Sequence, residues 1–83
     1  NWHLLRLTGE PRYAEELERT VFNHLLGAQD PATGNVSYFT PLLGRRRPTP
    51  GINCCVSSIP RGIAMVPLLA WGEMADGLAI QLY

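Results

Sequence analysis

The sequence contains no lysine: all seven basic side chains among its 83 residues are arginine, and seven carboxylates balance them. Zero formal charge and a pI near 6.9 argue against a dedicated binder of nucleic acid or of anionic membranes. No apolar run approaches the roughly 18 residues of a membrane span, so no membrane partner is expected. Cysteine is scarce as well, with two residues, adjacent at Cys54 and Cys55. Neighbouring Cα atoms lie about 3.8 Å apart, short of the roughly 4.4–6.8 Å a relaxed disulfide needs, so the pair does not staple a small secreted fold. That cysteine usage favours a reducing, cytoplasmic setting.

What is present is ordinary for a folded protein. The apolar share of 46% is too high for intrinsic disorder. A chain of this length buries only about 60% of the surface its unfolded form exposes, which leaves a thin core. The sequence also opens at Asn1 in what reads as helix, so a piece of a larger protein is expected. Such a piece exposes leucine and tryptophan surface and is expected to self-associate or to need its parent.

Trp2, Leu4, Leu5 and Leu7 cluster before Gly9, a natural helix C-terminal cap, so residues 1–8 read as a helix end. Pro11 suits a first helical turn. The apolar positions Tyr13, Ala14, Leu17, Val21, Phe22, Leu25 and Leu26 then trace one stripe of an amphipathic helix over 11–28. Residues 29–35 are turn chemistry, 36–39 a short extended stretch, and 44–51 irregular, with Arg45, Arg46 and Arg47 read as a solvated loop. Ser57 or Ser58 is positioned to cap a third helix with Pro60 in its first turn and Pro67 kinking it. Its apolar run continues to Trp71, residues 72–77 end it, and residues 78–83 read as a strand with nothing after it to pair with.

Three chemistries remain open for Cys54 and Cys55: packed structural thiols, metal or redox work, and a nucleophile whose thiolate a helix N-terminus stabilises. Two thiols fill half of a zinc shell. His3 and His24 read as packed or edge residues, and Glu15, Glu16 and Glu18 as a solvated helix face. Tyr38 either lines a pocket or packs. Spacing alone completes no active site.

Several segments in order change this picture. Residues Asn1 to Ala14, then Leu17-Glu18-Arg19 and Phe22-Asn23, then Ser37-Tyr38-Phe39-Thr40-Pro41-Leu42, Asn53-Cys54-Cys55 and Asp76-Gly77-Leu78-Ala79-Ile80-Gln81-Leu82-Tyr83 resemble the β-L-arabinofuranosidases of glycoside hydrolase family 127 and the related family 146. The resemblance covers nearly the whole chain. It implies a mainly α fold: the last helices of an (α/α)6 barrel over residues 1–72, leading into the first strand of a β-sandwich at 73–83. It further implies a retaining hydrolase with Cys54 as nucleophile, zinc held in part by Cys54 and Cys55, and Tyr38 touching the sugar. The implied carbohydrate substrate is a β-L-arabinofuranoside.

The family's glutamic acid/base and its Glu-x-Cys zinc ligands precede the part represented here, and nothing in residues 1–53 replaces them. The helix after the pair carries Val56-Ser57-Ser58-Ile59-Pro60, where the family often has Pro-Pro-Asn or Gly-Thr-Gly, so the substrate subtype stays open. The expectation is therefore a fragment that is inactive alone and binds zinc weakly, completed by the rest of its parent chain. The competing expectation is a non-catalytic helical packing module with buried structural cysteines.

Overall fold

A computed structural model describes residues 1–51 and 53–82. Helix α1 (Trp2–Thr8) ends at Gly9, whose φ of 68° and N–H bond to the Leu5 carbonyl make the left-handed cap that the sequence predicts. Helix α2 (Pro11–Arg19) follows after two residues, with proline in its first turn, and packs on α1.

The expected single helix over 11–28 is helical throughout but changes character at Thr20. Residues Thr20–Leu26 form a π-helical segment. The Thr20 hydroxyl donates to the Glu16 carbonyl at 2.7 Å and so competes for the acceptor that an α-turn uses there. At the far end the Gly27 N–H reaches back to the carbonyls of His24 and Phe22, the latter a five-residue span. The wider turns keep Val21 buried at 1% exposure while leaving Phe22 and Leu26, members of the same sequence stripe, exposed.

Helix α3 (Asn53–Ala64) begins a full turn before the predicted caps. Ser57 is inside it, donating its hydroxyl back to the Cys54 carbonyl at 3.1 Å instead of capping. Pro60 is interior rather than in the first turn. Arg61 bridges that region, donating from Nε to the Ser57 carbonyl and from Nη2 to Ser58 Oγ. The helix breaks at Met65 and resumes as α4 (Val66–Leu69), the interruption Pro67 predicts.

Residues 71–74 are not the end of a helix. They form β1 (Trp71–Met74), which pairs antiparallel with β2 (Gly77–Ile80) in the register Trp71↔Ile80 to Met74↔Gly77. The predicted terminal strand therefore has a partner, and the partner precedes it; Tyr83, its last predicted residue, lies outside the described residues.

Leu5, Leu17, Val21 and Leu69 form the core, with Trp2, Tyr13, Leu25, Val66 and Leu82 packed against it. Many large apolar side chains stay outside, among them Leu7 at 81%, Leu42 at 100% and Ile80 at 70% exposure. The radius of gyration is 14.7 Å, against about 12 Å for a compact domain of this length. The molecule is elongated, with extents of 46 × 24 × 20 Å, and has a thin core.

Helix α3 approaches the π-helical segment closely at one point. A Cβ on Gly62 would lie 2.7 Å from Leu25 Cδ2. In Gly62→Ala, about 1 kcal/mol of gained helix propensity offsets part of that clash. Gly62→Val adds two methyls to the same contact and is expected to lower stability by about 1–3 kcal/mol, read as a lower urea midpoint. An unchanged midpoint would mean that the helices part without cost.

Candidate functional site

The first turn of α3 brings the two cysteines together. Their sulfurs stand 3.8 Å apart, within reach of a thiol–thiol hydrogen bond, and neither is in a disulfide. Cys54 is exposed and Cys55 half-buried, which does not match the expectation of buried structural thiols.

Partial burial, the hydrogen bond with the Cys54 sulfur and repulsion by charge on that sulfur push the Cys55 thiol above its ordinary 9.0. Cys55 is thus held in its neutral form, against the expectation that the helix N-terminus favours its thiolate. Iodoacetamide alkylation of Cys55 should accordingly reach half its maximal rate above pH 9.0. In Cys54→Ser the midpoint should move down, because the repulsion by charge on the neighbouring sulfur is removed. A midpoint at or below the ordinary value in the unsubstituted chain would refute this.

Tyr38 sits at the neck of the 38–49 loop. Its N–H donates to Thr49 Oγ1 at 3.2 Å, while the Thr49 N–H donates to the Val36 carbonyl and the Thr49 hydroxyl to the Arg47 carbonyl. The ring packs edge-on against Phe39 and is half exposed. A cleft of about 210 Å³ between that neck and α3 is lined by Val36, Thr49 and Val56 among others. Val56 directly follows Cys55, so the loop neck reaches the cysteine-bearing end of α3. Among the described residues no hydrogen bond or ring contact joins Tyr38 to either sulfur.

The other polar candidates stand apart. His3 is exposed beside the Trp2 ring, and His24 is exposed on the π-helical segment. Glu15 and Glu16 are exposed and Glu18 half-buried; Glu16 pairs with Arg19 at 3.1 Å. Among the described residues, no three His, Cys, Asp or Glu side chains gather closely enough to hold a metal.

Of the arginine triplet, Arg45 and Arg47 are exposed as expected. Arg46 is half-buried, and its Nη1 would lie 3.0 Å from a Cβ placed on Gly27. The guanidinium therefore lies beside the end of the 11–28 helix, where the dipole is negative. No sequence pattern marked this contact, because the partner is a glycine nineteen positions away. A larger cavity of about 530 Å³, between α1 and the hairpin, is walled by Trp2, Arg6, Trp71, Glu73 and Gln81 among others. It includes neither cysteine nor Tyr38.

A family model for the β-L-arabinofuranosidase GH127 catalytic domain matches residues 1–68. The chain belongs to that family. The matched stretch contains Tyr38, Cys54 and Cys55 and stops inside α4, before the hairpin. No curated protein and no solved structure matches the chain.

The zinc expected for this GH127 chain is tested by the pair's own geometry. Two sulfurs sharing one tetrahedral zinc through bonds of about 2.3 Å are separated by about 3.8 Å. Cys54 and Cys55 already stand at that separation. Thiolate is also the ligand type zinc takes in closed sites. The pair fits two corners of such a shell.

Proposed function

We propose that this chain is a segment of a glycoside hydrolase acting on β-L-arabinofuranosides, in which Cys54 is the nucleophile and Cys54 and Cys55 are zinc ligands. The observation that carries the reading is the convergence of two free thiols inside the matched catalytic-domain stretch.

In a retaining double displacement, the Cys54 thiolate attacks the anomeric carbon and the glycosidic C–O bond breaks. The leaving oxygen takes a proton from a carboxylic acid that the parent supplies outside this chain. Water then gives a proton to the carboxylate left by that acid as its oxygen bonds the anomeric carbon, the C–S bond breaks, and the thiolate is regenerated. Bound zinc would lower the thiol pKa and so keep the pair deprotonated. That task is real here, because the pair's own environment holds Cys55 neutral.

Exposure of Cys54 supports its reading as the attacking sulfur. Cys55, half-buried behind it, is the anchoring ligand. Tyr38 presents its ring beside the Thr49-pinned loop neck, where a sugar face can rest on it. The hairpin β1–β2 begins a second domain, and the exposed leucines and Ile80 are faces that the rest of the parent covers.

The test is turnover of a β-L-arabinofuranoside together with zinc stoichiometry. The chain alone should show no turnover and should bind zinc only weakly, while the full-length parent does both. Robust hydrolysis by the isolated chain would overturn the account.

A further inference from the structure

We propose that Cys54 and Cys55 form a chelating dithiol site for trivalent organic arsenicals, which bind through both sulfurs at once. The site rests on the geometry of the pair and needs neither zinc nor the glycosidase reading.

Consecutive residues of a helix point their side chains about 100° apart around the axis and do not ordinarily meet. Here the two sulfurs converge to 3.8 Å. Cys54 is exposed, so it meets a reagent first, and Cys55 beside it closes the ring. Closing the pair directly would require an S–S bond of about 2.05 Å between adjacent helical residues, a strained arrangement. Inserting one atom removes the strain, since two bonds near the zinc–sulfur length of about 2.3 Å span the observed gap without moving the backbone.

The number of donors decides which bridging atom fits this chain best. Tetrahedral zinc asks for four ligands, and among the described residues no third donor gathers with the pair. A monosubstituted arsenic(III) asks the protein for two sulfurs only, because its third bond goes to carbon. With phenylarsine oxide the balance is simple. Two S–H bonds and the arsenic–oxygen bond break, two As–S bonds form, both protons leave on the oxygen as water, and arsenic stays trivalent.

The experiment treats the reduced full chain with phenylarsine oxide and reads intact mass, free thiols and melting temperature. One phenylarsine oxide per chain, less one water, should appear as added mass, and both free thiols should disappear. Cys54→Ser and Cys55→Ser should each hold the reagent on the order of 100-fold less tightly against glutathione, because the second sulfur no longer binds intramolecularly. Because the sulfurs are already converged, binding should raise the melting temperature of the unsubstituted chain. The proposal is overturned if a chain with two titratable thiols takes no adduct, if a single-cysteine variant retains it equally well, or if binding lowers the melting temperature. None of these readouts involves turnover, so failure here leaves the glycosidase reading standing.

Discussion

In the full-length parent, Cys54→Ser should cut kcat by about 10⁴-fold or more while the protein stays folded, since loss of a nucleophile from a concerted site has effects of that order. Serine keeps the size of the side chain and the hydrogen-bonding position in the first turn of α3. It changes the acidity, because a hydroxyl does not ionise near neutral pH as a thiol does. Position 54 is exposed, so the exchange creates no cavity and should move stability by only a few tenths of a kcal/mol. Activity and folding therefore separate cleanly. The companion Cys55→Ser should lower zinc content as well as turnover, since Cys55 is proposed as a ligand rather than the attacking atom. If Cys54→Ser retains wild-type turnover, the nucleophile is elsewhere and the pair is structural. Circular dichroism of the variant distinguishes the expected loss of turnover from misfolding.

The second large effect concerns the core. Val21 is the most buried side chain of the central cluster, at 1% exposure. Val21→Asp removes about 1.5–3 kcal/mol of apolar burial and places a carboxyl where no partner waits. A domain of this length has about 4–12 kcal/mol of total stability at ordinary per-residue values. With so few residues in the core, the isolated chain should lose its helical circular dichroism at pH 7 and 25 °C. The sign of the pH dependence follows from burial. Burial raises the pKa of the introduced carboxyl in the folded state, so folding is less penalised at low pH and more penalised as pH rises through that value. Partial recovery of helix near pH 4 is expected, as is a milder loss in Val21→Ala. A Val21→Asp chain that melts like the unsubstituted one would show that the cluster does not hold the fold.

The sequence made some of this architecture legible and hid the rest for identifiable reasons. Gly9 and Pro11 mark helix ends because each has a backbone preference independent of its surroundings, and both stand where they were read. Pro67 breaks its helix for the same kind of reason. Ser57 misled because serine caps a helix from outside it and bonds back to a carbonyl from inside it, and here it does the second. The hairpin was obscured by apolar continuity: Leu68, Leu69 and Trp71 prolong a helical run, and only the pairing of Trp71 with Ile80 shows that the run changes structure. Asp76-Gly77 was the nearest turn signal in the sequence, although the turn itself is Ala75-Asp76 and Gly77 opens β2. At the site, adjacency put the cysteines together, but the convergence of their sulfurs depends on rotamers that no spacing reveals. The approach of Arg46 to Gly27 depends on a loop path equally invisible in sequence.

The π-helical segment has one further consequence. Its wider turns accommodate a residue beyond what α-helical bonding would place over the same rise, so the stretch behaves as a one-residue insertion absorbed without a loop. Forcing all seven residues of 20–26 into α-helical bonding would rotate everything after them by about one residue's 100°. Gly27 would then turn away from Arg46, and the strand-like bridge between Gln29 and Val36 would lose its alignment. The angular phase of the helix, and with it the direction in which the Tyr38 loop leaves, is thus stored as a count of residues.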